Sequence, residues 1–280
     1  MTSANSVAEA GSEPRSVTAN INYLAQDCAN PQVNNGDFSK NIFPLEGRES
    51  RIFDADSFET PPSLDVEGFC RVSQPYDVSD LAESPEAGVA YRASLAVLIK
   101  ELTGADEVNV MPFSMLRRQT ASTIKKDIES GVPANFVHAD TTERGAPQAE
   151  GFFYPPPSRR GVRRTAQINL WKLLSASPTP CPLAVCDPRS MRPDDVVAGP
   201  AYFPSVDGTI DTAFFHPNEH FRWVYFSGLT NQELLVFKQY DSDKRYPERV
   251  PHTAFIDPSC PPDAEPRVSL ESRCLLRWYD

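Results

Sequence analysis

Proline sets the first limit on what this chain can become. Its 27 prolines cluster at Pro155–Pro157, Pro178–Pro182 and Pro258–Pro266. A proline ring fixes φ and removes the amide donor, so these clusters mark loops and exclude helix interiors and central strands. Between them lie short apolar runs rich in aromatic and β-branched residues: 167–174, 182–186, 222–226, 233–239 and 270–279. Their length and content are those of strands. Two earlier runs, 17–24 and 64–72, read the same way. Only two stretches carry a helical pattern. Pro85–Thr103 has Ala90, Leu95, Val97, Leu98 and Leu102 near helical spacing and ends at Gly104, a natural C-cap; residues 121–130 are a weaker case ending at Gly131. The expectation is a mainly β fold with flanking α-helices, a sandwich or jelly roll. No repeat or clean linker divides it, so residues 17–280 are read as one domain after a disordered lead-in over 1–16, with a break near 132 as the one plausible boundary.

The 280 residues suffice for a full core. A net charge of −11 argues against nucleic acid or an anionic membrane as partner. No run of 18 apolar residues offers a membrane span, and the N-terminus lacks the basic-then-apolar order of a secretory signal. The six cysteines (Cys28, Cys70, Cys181, Cys186, Cys260, Cys274) are too few and too irregular for a disulfide scaffold. Cys181 and Cys186 form the one close pair, with no second pair to complete a zinc site. The expectation is reduced, mostly buried thiols in a cytoplasmic protein acting on a small molecule; the sequence leaves a homo-oligomer open without pointing to one.

Histidine is scarce, at His138, His216, His220 and His252, so the context of each is informative. In Asn135-Phe-Val-His-Ala-Asp140, strand alternation places His138 and Asp140 on one side, near enough to share an ion. His252 opens another strand-like run and can supply a third ligand. Two imidazoles and one carboxylate leave coordination positions for a bidentate co-substrate and O2, the arrangement used with Fe(II). The co-substrate suggested is 2-oxoglutarate, whose far carboxylate needs a cation if buried. Arg267, with Ser269 two residues on, can clamp it; Arg273 alternates onto the same face and competes. His216 and His220 have the spacing of a zinc pair, but Pro217 and Asn218 make a shared helical face implausible. His220 is read instead as a packed or hydrogen-bonded structural residue. Asn169 and Trp171 share one strand face and suit a wall that touches the co-substrate, or equally a core position. Tyr225 and Lys238 are polar positions in apolar strands. They are weak candidates for the substrate pocket; pairing with Asp241 or a substrate carboxylate would explain Lys238, and a solvated face is the more ordinary reading.

Beyond spacing, the chain resembles the fungal AsaB/CmcJ-type hydroxylase and desaturase family, relatives of a gibberellin desaturase. The resemblance runs from about Val17 to the C-terminus. It rests on Asn22-Tyr23, Leu64-Asp-Val-Glu-Gly-Phe69, Leu102-Thr-Gly-Ala-Asp106, Leu116-Arg-Arg118, His138-Ala-Asp140, Ile168-Asn-Leu-Trp171 and Pro182-Leu-Ala-Val-Cys-Asp187. Further matches are His220-Phe-Arg-Trp-Val-Tyr-Phe226, Leu235-Val-Phe-Lys-Gln-Tyr-Asp-Ser242, Pro251-His-Thr-Ala-Phe255 and Arg267-Val-Ser-Leu-Glu-Ser-Arg273. It implies a double-stranded β-helix (cupin-like jelly roll) and an iron site of His138, Asp140 and His252. It also implies a 2-oxoglutarate- and O2-dependent dioxygenase that hydroxylates, desaturates or cyclises a specialised metabolite. Lys172, where the family usually has arginine, departs from the pattern near the expected pocket and bears on the substrate. The rival readings are an inactive jelly-roll scaffold and a metal-dependent hydrolase on the same barrel.

Overall fold

A computed structural model describes residues 13–78, 84–119 and 128–280. Its strands in chain order are β1 (Ser16–Leu24), β2 (Val33–Asn34), β3 (Leu45–Asp54), β4 (Phe69–Ser73), β5 (Glu107–Val110), β6 (Ser114–Arg118), β7 (Ile128–Gly131) and β8 (His138–Ala139). They continue as β9 (Val162–Leu173), β10 (Leu183–Cys186), β11 (Val196–Phe203), β12 (Gly208–Phe215), β13 (Trp223–Tyr225), β14 (Glu233–Asp241), β15 (His252–Ala254) and β16 (Val268–Tyr279). Helix α1 spans Pro85–Thr103 and α2 spans Gly145–Phe153.

Two sheets form. One has the order β1-β3-β13-β10-β15-β8-β12-β11-β2; the other runs β4-β14-β9-β16-β6-β7, with β5 also paired to β16. They face each other through Phe69, Trp171, Leu173, Leu235 and Phe237 from the second sheet and Leu183, Val185 and Val224 from the first. This is the jelly roll expected. Alternation along β9 explains how one strand serves two cores: Asn169, Trp171 and Leu173 point between the sheets. Ile168 and Leu170 point outward to Tyr91, Leu95 and Ile99 of α1.

Helix α1 begins and ends where its sequence says it should. Ser84 accepts a hydrogen bond from the Ala87 amide at 3.1 Å, Pro85 opens the first turn, and Gly104 closes it in the left-handed region at φ 64°. Its buried residues, Tyr91, Leu95 and Ile99, recur every fourth position, whereas Ala90, Val97 and Leu102 of the expected apolar set are exposed.

Three expectations change. Residues 121–127 of the second helix candidate lie outside the described residues, and 128–130 belong to β7, paired parallel with β6; edge pairing overrides a weak helical pattern. The strand expected over 64–72 is confined to Phe69–Ser73, because Leu64–Gly68 turns and Gly68 takes φ 79°. The β11–β12 hairpin, Val196–Phe215, was hidden by Gly199 and Pro200. Proline is accommodated there because β2 meets β11 only at Ala201 and Tyr202. Strands from either side of residue 132 pair in both sheets, β3 with β13 and β4 with β14.

Candidate metal centre

Strand β8 is two residues long and lies between β15 and β12, with His138 opposite both His252 and Phe214. Val137 and Ala139 are fully buried in the outer cluster of this sheet, so alternation turns His138 and Asp140 inward together. Their ligand atoms and those of His252 all lie within 4.8 Å of one another. Nδ1 of His138 sits 3.0 Å from the Phe136 carbonyl oxygen, and Nδ1 of His252 sits 3.3 Å from that of Val250. With each Nδ1–H donating to its carbonyl, both Nε2 lone pairs are left to the centre, as metal ligation requires.

Electrostatics hold the group in its ligating form. Burial, then the neighbouring His252, pushes the His138 imidazole down to about 3, so it is neutral. Burial pushes the Asp140 carboxyl up, but the Arg273 guanidinium and both imidazoles outweigh it and leave it at about 2. Arg273 Nη2 donates to Asp140 Oδ1 at 2.8 Å, and Asn169 Nδ2 donates to Oδ2 at 2.6 Å. The Asp140 amide donates to Gln239 Oε1 at 2.7 Å, and Thr212 Oγ1 donates to the Asp140 carbonyl at 3.1 Å. Phe136 packs on His138 and Phe237 on His252, each with ring centroids 4.8 Å apart. Two imidazoles, one carboxylate and aromatic walls fit a divalent transition metal.

Arg267 is 3% exposed. Its Nε donates to Ser269 Oγ at 3.0 Å, its Nη1 donates to the Cys181 carbonyl at 3.1 Å, and its guanidinium lies 4.9 Å from the Trp171 ring centroid. Burial pulls its pKa down to about 10. Among the described residues no carboxylate pairs with it, whereas Arg273 is matched by both Asp140 and Glu271. Among the described residues Trp171 Nε1 is buried with no hydrogen-bond partner. Trp171 lines a cavity of about 90 Å³ with Leu173, Leu183, Tyr225 and Asp257. Trp171 is one side-chain repeat along β9 from Asn169, a step of ~7 Å.

The remaining candidates fall elsewhere. Tyr225 lines that cavity, its ring edge-on to Phe255 at 5.4 Å, and burial raises its hydroxyl to about 12. Lys238 lies on the outward, helix-side face of β14, 2% exposed, with Nζ donating to Asp241 Oδ2 at 2.8 Å. Asp241 also takes both arms of Arg164. His216 is half-buried beside the Leu24 carbonyl. His220 is exposed and only its backbone amide is bonded, to Asn218, so the packed role expected for it gives way to a loop position. Lys172 is buried, held by the carbonyl and side chain of Gln74. All six cysteines are unpaired, four of them buried. Gln239, Phe136 and Phe237 carried no signal in the sequence beyond strand alternation.

A jelly roll with an inward His-Asp-His group is the scaffold of a metal-dependent oxygenase. Over residues 16–277 the chain matches the family model described as oxidoreductase/YMDC permease-like domain. Among the described residues no helix is long and apolar enough to cross a membrane. It is 30% identical to the hydroxylase/desaturase CTB9 of Cercospora beticola over 84% of this chain and 78% of that protein. It is 29% identical to the hydroxylase/desaturase efuI of Hormonema carpetanum over 94% and 96%. The Fe(II)/2-oxoglutarate-dependent dioxygenase nvfI of Aspergillus novofumigatus is 32% identical over 66% of each chain. The solved iron and alpha-ketoglutarate-dependent endoperoxidase NvfI superposes with a TM-score of 0.73 over 95% of this chain and 99% of that one, at 24% identity. The chain belongs to this hydroxylase/desaturase family.

Proposed function

We propose that the protein is an Fe(II)/2-oxoglutarate-dependent oxygenase that hydroxylates, desaturates or oxidatively cyclises a small specialised metabolite. The observation that carries the reading is the joint presence of two features. One is the two-histidine, one-carboxylate group; the other is a buried guanidinium with no carboxylate in ion-pair contact among the described residues. The family relatives named hydroxylase/desaturase and dioxygenase support it.

His138, Asp140 and His252 would hold the iron, which when bound supplies O2 activation coupled to oxidative decarboxylation of the 2-oxo acid. The protein's own share is placement. Arg267, with the Ser269 hydroxyl and the unpartnered Trp171 Nε1–H beside it, receives the far carboxylate, which supplies the negative charge this buried cation lacks. Asn169 and Arg273 orient Asp140, a role that leaves Arg273 little capacity for a second carboxylate. Phe136 and Phe237 close the flanks of the imidazoles and exclude water from the reacting face. Tyr225 stands at the far cavity; Lys238, saturated by Asp241, takes no part.

Residues 17–280 are read as one oxygenase domain, and the unpaired thiols suit a reducing cytoplasm. Anaerobic titration of the protein with Fe(II) and 2-oxoglutarate tests the proposal. A weak visible charge-transfer band is expected in the wild type and not in His252→Ala. No band in the wild type, or an unchanged band in the variant, overturns it.

A further inference from the structure

Glu271 takes part in no step of the function proposed above, yet it joins both groups that hold Asp140. It stands two residues before Arg273 on the inward face of β16, opposite Trp171, while Arg273 stands opposite Asn169. Its Oε1 accepts from Arg273 Nε at 2.8 Å and from Asn169 Nδ2 at 3.4 Å. Those two side chains then give one hydrogen bond to each oxygen of Asp140, at 2.8 and 2.6 Å. The Glu271 side chain is 12% exposed, the Asp140 side chain 12% and the Arg273 side chain 21%.

We infer that Glu271 is a positioning residue for the metal centre, acting through Arg273 and Asn169; the inference rests on the reading of His138, Asp140 and His252 as metal ligands. Two physical consequences follow from the geometry. First, a guanidinium tied at Nε to one carboxylate has its Nη2 arm aimed in one direction, and that arm fixes the plane of Asp140. Each Asp140 oxygen keeps a lone pair, but the carboxylate can no longer turn freely, so the metal meets a preset donor. Second, charge: Asp140 and Glu271 against Arg273 leave the cluster one negative charge in excess. Without Glu271, Arg273 cancels Asp140, and a divalent cation meets a neutral site flanked by a buried positive arm.

Mn(II) binding to metal-stripped protein, measured by calorimetry with no co-substrate, tests this apart from turnover. Glu271→Gln keeps the shape and removes the charge; binding about 10- to 100-fold weaker is expected, the range usual when the partner of a metal ligand is lost. Glu271→Asp keeps the charge but withdraws it, and is expected to fall between wild type and Glu271→Gln. In the double variant Glu271→Gln/Arg273→Gln the excess negative charge returns, so it should bind Mn(II) more tightly than Glu271→Gln alone, a recovery that a merely structural role for Glu271 does not produce. Equal affinity of wild type and Glu271→Gln overturns the inference, as does a double variant no tighter than the single. If Glu271→Gln does not fold, Glu271→Asp decides: affinity equal to wild type overturns the inference. Binding by wild type that is lost in Asp140→Ala shows that the metal site stands whichever way Glu271 falls. Absence of binding in the wild type overturns site and inference together.

Discussion

His138 and His252 face each other across an antiparallel pair, with ring centroids 4.3 Å apart and each Nδ1 next to a backbone carbonyl two residues earlier in its own chain segment. Two imidazoles this close repel when charged, and burial adds to the penalty. The metal-free fold therefore holds His138 neutral.

That relationship makes stability depend on pH in a definite direction. His138 falls from an ordinary 6.5 to about 3 in the folded chain. Between those values the unfolded chain binds a proton that the folded one refuses. Stability is full above about 6.5 and declines as pH falls towards 3. Urea midpoints of metal-free protein should fall between pH 7 and pH 5, a window above the range of ordinary carboxylates. In His138→Gln the fall should be smaller; an identical slope would count against the neutral, buried imidazole.

Glycines in and beside α2 predict opposite responses to the same change. A Cβ built on Gly145 would lie 1.9 Å from the Asp211 carbonyl oxygen, and backbone on both sides cannot yield. Gly151 has nothing within 4 Å of its Cβ position. Gly145→Ala should destabilise by about 1–3 kcal/mol, as overpacking does. Gly151→Ala should stabilise by up to ~1 kcal/mol through helix propensity. Thermal melts of the two variants, which differ from wild type by one methyl each, check the pair of signs.

Much of this architecture was legible in the sequence, and the reasons differ by element. α1 could be bounded because Ser84, Pro85 and Gly104 punctuate it and its apolar face repeats. The long strands β9, β14 and β16 show as apolar runs because both of their faces are buried. The hairpin of β11 and β12 did not show, since Pro200 reads as a break unless the edge position of its strand is known. At the centre, alternation made His138 and Asp140 candidates for one ion with His252 as a possible third ligand, and it was the family resemblance that joined the three. Gln239 and Glu271 were silent because their roles lie in partners distant along the chain, Asp140 and Arg273-Asn169, which register alone brings together.

Lys238 and Asp241 illustrate a polar signal whose meaning burial decides. Both are essentially inaccessible, and Asp241 is shared with Arg164 at 2.6 and 3.0 Å. Asp241→Asn leaves two buried cations without their anion and should cost about 3–5 kcal/mol. Lys238→Met leaves Asp241 still paired to Arg164 and should cost less than ~1.5 kcal/mol, since the replacement packs as an apolar side chain. Chemical denaturation separates the two, and 2-oxoglutarate turnover by Lys238→Met should match wild type.

Arg267 yields the sharpest expectation, because its two roles pull in opposite directions. Among the described residues its charge is buried against a hydroxyl, a carbonyl and the face of Trp171, with no carboxylate in ion-pair contact. Removing that charge relieves the metal-free fold of a desolvated cation. Arg267→Met, similar in reach and apolar, should therefore leave the melting temperature of metal-free protein unchanged or raised. The same substitution strips the far carboxylate of 2-oxoglutarate of its cation, a loss of about 2–5 kcal/mol, or roughly 30-fold to several thousandfold in Kd. Arg267→Lys keeps a charge but not the fork that spans Ser269 and the Cys181 carbonyl, and should fall between. Ser269→Ala, losing one neutral hydrogen bond, should weaken binding by about 0.5–1.5 kcal/mol. Equilibrium binding of 2-oxoglutarate to the Fe(II)-loaded variants under anaerobic conditions, set beside their metal-free melts, reads both effects. A stable Arg267→Met that binds 2-oxoglutarate as the wild type does would move the carboxylate to Arg273, and with it the direction in which the co-substrate enters the barrel.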